Sequence, residues 1–145
     1  KYAHGSGTWS DHRFIKWPAD MEGDSGRWFT QLNLKSFEDQ NAIISTNPEC
    51  KKKILMLHMV PQYFLLSKNP AYAATNAFFG CSPIAKYVTE LEPDICFFGH
   101  THDACDVMSN NTRYICRPLG YADFGEWGNR SAYERIDLLM FTMEV

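Results

Sequence analysis

Two short apolar runs, joined through a proline-bounded helix, do most to restrict how this chain folds. The first, Ile54-Leu55-Met56-Leu57-His58-Met59-Val60, follows three lysines and is closed by Pro61. Its length and abrupt stop predict a strand buried on both faces. The second, Asp94-Ile95-Cys96-Phe97-Phe98-Gly99, starts directly after Pro93 and predicts another buried strand. Between them Ser82 is suited to cap a helix and Pro83 to its first position, while Ile84, Tyr87, Val88 and Leu91 recur on one face. Strand, helix crossover and strand in that order imply a parallel pair, hence an α/β layered domain.

Elsewhere the patterns are weaker. Over residues 26–45, Trp28, Phe29, Leu32, Phe37 and Ile44 fit a helical face. Residues 62–80 read as a long loop with a helical turn, and residues 112–117 and 136–144 as further strands. Phe14-Ile15-Lys16-Trp17 suggests a short strand ended by Pro18. A loop rich in glycine and aromatic residues occupies 120–128.

At 145 residues the chain has room for one domain, 1–145, with a real core. The net charge of -3 gives no overall basic footprint for nucleic acid or an anionic membrane. Five cysteines without CxxC spacing argue against a disulfide framework and for a reducing, cytoplasmic setting. In that setting the sequons at Asn110 and Asn129 carry no glycan. No apolar run reaches membrane-spanning length, no signal peptide is visible, and the sequence opens on Lys1 rather than methionine.

The histidines carry the chemistry. His58 ends the first apolar run, and Gly99-His100-Thr101-His102 follows the second. In parallel α/β sheets, ligands bind in the crevice beyond the carboxyl ends of the strands. His58, His100 and His102 are therefore expected to converge there, where neutral imidazoles suit Zn, Mn or Fe. His100 and His102, two apart in an extended segment, would point the same way and serve neighbouring ions. Gly99 would free the backbone to turn toward the site. For His58 alone, a hydrogen-bonded histidine at a strand end is the simpler reading; the H-x-H pair after a strand favours metal. A closed structural zinc site from Cys96, His100, His102, Cys105 and Cys116 is the alternative, although its spacing matches no standard zinc pattern.

A strand ending in His58, then a strand ending in Gly99-His100-Thr101-His102, resembles the last two metal motifs of calcineurin-like metallophosphoesterases. Gly7-Thr8-Trp9-Ser10-Asp11 and Pro118-Leu119-Gly120-Tyr121 resemble segments of a bacterial and phage-like branch, with Arg117 and Leu119 replacing that branch's usual Asn and Arg. The resemblance implies a layered αββα sandwich of which this chain is the C-terminal half. It implies that His58 and His100 ligate one ion and His102 the other, with the His100 carbonyl also approaching metal. Two divalent ions (Mn, Fe or Zn) would activate a hydroxide for attack on phosphorus, and no residue of this chain is assigned a proton-transfer role.

The resemblance also leaves gaps. The family's Asp-x-His, Gly-Asp and Gly-Asn-His motifs are not found before His58; Gly23-Asp24 and Asp11-His12 lack the right context. The first half is then expected to be truncated, disordered or supplied by another chain, leaving residues 1–145 alone with little activity on a phosphoester substrate of unspecified class. Asp103 and Asp106 either orient the histidines through their second ring nitrogens or are simply solvated loop acids. Tyr121, Phe124 and Trp127 either wall a leaving-group site or simply anchor their loop. A non-catalytic module completed by a partner is the competing function.

Overall fold

The computed structural model describes Lys16, residues 25–76, 78–122, 125–140 and Thr142. Its order is α1 (Ser25–Ser45), β1 (Ile54–Met56), α2 (Ala73–Asn76), α3 (Ser82–Leu91), β2 (Ile95–Phe98), β3 (Cys105–Ser109), β4 (Thr112–Cys116) and α4 (Ala132–Leu139), with 3-10 turns at Tyr63–Leu65 and Pro70–Tyr72. The four strands form a mixed sheet in the order β1-β2-β4-β3. β1 and β4 both run parallel to the central β2, and β3 returns antiparallel beside β4. The chain is thus mixed α/β, as the strand–helix–strand pattern implies.

Register places Leu55, Cys96 and Tyr114 side by side, with Phe98 beside Cys116. Because side chains alternate along a strand, these five share one sheet face. They form the core with Phe37 of α1 and Ile84, Tyr87 and Val88 of α3. Phe37 and Tyr87 stack with ring centroids 3.9 Å apart and planes 3° from parallel, and the Tyr87 hydroxyl donates to Asn41 at 3.2 Å. α3 buries the face its sequence predicts, and it ends at Glu92 in the left-handed region (φ 48), immediately before Pro93.

Several expectations are corrected. β1 is not buried on both faces and covers only Ile54–Met56. It lies at one end of the sheet order, so only Leu55 faces the core, while Ile54 and Met56 are 48% and 76% exposed. Ser82 is the first residue of α3, not its cap; the cap position belongs to Cys81. The apolar face of α1 runs through Leu34 and Phe37, whereas Phe29 and Leu32 are exposed. The strand expected over 136–144 is, up to Leu139, the helix α4; Ser131 and Glu134 form a reciprocal capping box that starts it. The strand expected at 14–17 lies, apart from Lys16, outside the described residues, as do Gly7-Thr8-Trp9-Ser10-Asp11, Asp11-His12 and Gly23-Asp24.

β3 has no counterpart in the sequence reading. It and β4 form a hairpin turned by Asn110 and Asn111, both with positive φ (47 and 64). Two central residues of that hand make the turn that best matches strand twist, and asparagine tolerates it better than most residues. Among the described residues no helix is long and apolar enough to cross a membrane.

Candidate metal-ligating site

The parallel ladder continues beyond its strands. Leu57 N–H donates to Phe97 O at 2.9 Å and Gly99 N–H to His58 O at 3.2 Å. Those bonds hold His58 against the exit of β2, so two histidines 42 positions apart meet. His58 Nε2 lies 3.0 Å from His100 Nδ1, with ring centroids 4.8 Å apart.

What turns His100 toward His58 is its own backbone. His100 has φ 66, and Thr101 N–H donates to Gly99 O at 2.8 Å. A two-residue hydrogen bond closed around a positive φ is the rare, strained form of γ-turn. The extended Gly99–His102 segment expected from sequence is therefore absent. His100 and His102 do not present matching nitrogens in parallel: His100 offers Nδ1 to His58, whereas His102 directs Nδ1 elsewhere. Gly99 also does not do what was expected of it. Its φ is not positive, and a Cβ there would make only ordinary contacts, 3.7 Å to His58 O and 3.8 Å to His58 Nδ1.

Behind His100 stands Phe79, ring edge to face at 5.1 Å. Its backbone is fixed because Val60 N–H donates to Phe79 O at 2.7 Å. That approach needs Gly80, where a Cβ would sit 2.6 Å from Val60 O. Burial, and then the neighbouring His58, hold the His100 imidazole below the usual histidine range, against a raising hydrogen bond to the Phe78 backbone. His100 is therefore biased toward the neutral form that ligates metal.

His102 Nδ1 lies 2.8 Å from Glu126 Oε1 and 2.7 Å from Oε2. Its ring meets Tyr121 at a centroid distance of 4.6 Å. The same carboxylate accepts from Tyr121 N–H at 3.3 Å. The His102 hydrogen bond, supported by Tyr121 N–H, holds the Glu126 carboxyl below the usual range. Gly120 suits this turn because its φ is 77, and a Cβ there would stand 2.4 Å from Glu126 Oε2, so the carboxylate would have to shift. Leu119 O then receives Trp127 Nε1–H at 2.9 Å and Arg135 Nε–H at 3.2 Å, which ties the loop to α4.

Of the two loop acids weighed for orienting the histidines, Asp106 is taken by Arg113 through two 2.8 Å bonds and Asp103 is exposed, as solvated loop acids would be. Glu126 occupies the place proposed for them. Nothing local in the sequence marks it, because it lies 24 residues beyond His102 and reaches the histidine only through the fold of the loop. Trp127 anchors that loop and Tyr121 flanks His102, while Phe124 lies outside the described residues.

Two imidazole nitrogens sharing one ion at ordinary Zn–N lengths stand about 2.9–3.4 Å apart, depending on the angle at the metal. The His58–His100 separation fits that range, as it also fits a hydrogen bond between the rings. Among the described residues no group of three His, Cys, Asp or Glu draws together to hold an ion. The cysteines of the zinc alternative sit differently. Cys96 and Cys116 are wholly buried in the core, where burial pushes their thiols up to about 12 and about 11. All five cysteines are free.

Compared with protein-family models, with curated proteins and with solved structures, the chain matches none.

Proposed function

We propose that this chain supplies histidine ligands to the metal centre of a phosphoester hydrolase of the calcineurin-like metallophosphoesterase kind, its α/β unit being the C-terminal half of a layered αββα sandwich. The observation that carries the reading is the 3.0 Å approach of His58 Nε2 to His100 Nδ1 at the carboxyl ends of adjacent parallel strands. In parallel α/β sheets that edge is where ligands bind, which supports the reading.

His58 and His100 would hold one divalent ion (Mn, Fe or Zn), and His102 would serve a second. Such an ion pair, when bound, supplies charge neutralisation and activation of water for in-line attack at phosphorus. The chain's own residues bind and orient. The turn at His100 separates the directions of the two neighbouring histidines, Phe79 covers the rear of His100, and Glu126 braces His102. The carboxylates that complete the centre would be supplied by an N-terminal half, on a longer polypeptide or on a partner chain. Residues 1–145 alone should then bind metal weakly and turn over slowly.

Hydrolysis of a generic aryl phosphodiester with added Mn2+ tests the reading. Turnover is expected to be low, to depend on metal, and to disappear in His58→Ala and His100→Ala. Turnover that persists in both variants, or needs no metal, contradicts it.

A further inference from the structure

We infer that Glu126 is the positioning residue for His102, selecting the tautomer with the proton on Nδ1 so that Nε2 is left as the free electron-pair donor. The inference deepens the proposed function and rests on it for its purpose, although not for its geometry.

An ionised carboxylate can only accept hydrogen bonds. Glu126 presents both oxygens within 2.8 Å of His102 Nδ1, so that nitrogen must carry a proton. In a neutral imidazole the other nitrogen is then bare. The arrangement is built rather than incidental. The carboxylate also accepts from Tyr121 N–H, at the base of the aromatic ring beside His102. Gly120 leaves space that any side chain would fill, 2.4 Å from Oε2. Trp127 and Arg135 fix the loop through Leu119 O. One glutamate therefore ties the imidazole, the neighbouring aromatic residue and the closing loop together. The two histidines of the H-x-H motif consequently offer different atoms: Nδ1 from His100 toward His58, and Nε2 from His102.

The test is long-range 1H–15N NMR of the imidazoles in the full 145-residue chain at mildly basic pH, with His102 assigned by the signal lost in His102→Gln. Wild type should show His102 with a protonated Nδ1 and a bare Nε2. Glu126→Ala should shift it to the Nε2–H form that free imidazole prefers. Glu126→Gln keeps an acceptor oxygen and should largely retain the wild-type tautomer. A wild-type His102 already protonated on Nε2, or a tautomer unmoved by Glu126→Ala, overturns the inference.

A Zn2+ titration separates this from the wider reading. Loss of such a brace typically weakens metal affinity roughly 10–100-fold, and Glu126→Ala should do so with partial rescue in Glu126→Gln. The tautomer pattern without any Zn2+ binding would defeat the phosphoesterase reading and leave the role of Glu126 standing. Zn2+ binding with a tautomer indifferent to Glu126 would do the reverse.

Discussion

Across the ends of two adjacent parallel strands, His58 Nε2 stands 3.0 Å from His100 Nδ1. The contact has two sources. The β1–β2 ladder runs on to the His58 O···Gly99 N bond, and the positive φ of His100 turns that imidazole sideways out of the strand direction. The contact therefore carries backbone strain at His100, one of the two histidines proposed to bind metal.

That strain can be measured. A non-glycine residue at φ 66 costs on the order of 1 kcal/mol relative to glycine. His100→Gly should therefore be more resistant to urea than His100→Ala by about 1 kcal/mol, although both remove the imidazole. Gly99→Ala, whose Cβ meets only ordinary contacts, should change stability by less than about 0.5 kcal/mol. Equal stability of the two His100 variants would show that the turn is relaxed.

The strand–helix–strand unit was legible because Pro61 and Pro93 punctuate it and Ile84, Tyr87, Val88 and Leu91 keep helical period. From a parallel pair, the meeting of His58 with His100 follows. β3 was not legible because Asp106, Val107 and Met108 are all exposed, so no alternation reveals it. α4 was misread from its apolar residues, although Ser131-x-x-Glu134 was a start signal in plain view. The turn at His100 is local but sits on a histidine rather than a glycine, and the reach of Glu126 depends on how a loop 24 residues on folds back; no sequence pattern marks either.

The β3–β4 turn provides a second stability test. Asn110 and Asn111 both hold positive φ, which alanine resists more than asparagine does. Replacing either with alanine should cost about 1 kcal/mol in chemical denaturation, whereas Asn111→Gly should be neutral or stabilising. Stabilisation by alanine at both positions would contradict the turn.

Acid sensitivity should be traceable to Asp94. Its carboxylate accepts from Lys53 N–H at 2.9 Å and from Lys52 Nζ at 3.1 Å, joining the starts of β1 and β2. These bonds, the Lys53 backbone foremost, hold its carboxyl below the usual range. A depressed folded-state pKa contributes stability above the unfolded value that is lost as pH falls through the folded one. Between neutral pH and roughly pH 3, wild type should lose more stability than Asp94→Asn, so the gap between them narrows on acidification. Parallel pH profiles would show that Asp94 contributes nothing to it.

On the proposed function a divalent ion binds between His58 and His100. Isothermal titration of the full chain with Zn2+ and Mn2+, in wild type and in His58→Ala and His100→Ala, addresses it most directly. Weak, saturable binding in wild type that disappears in each variant is expected. Saturable binding that survives both substitutions, or none in wild type, would reduce the 3.0 Å contact to a hydrogen bond between two strand-end histidines.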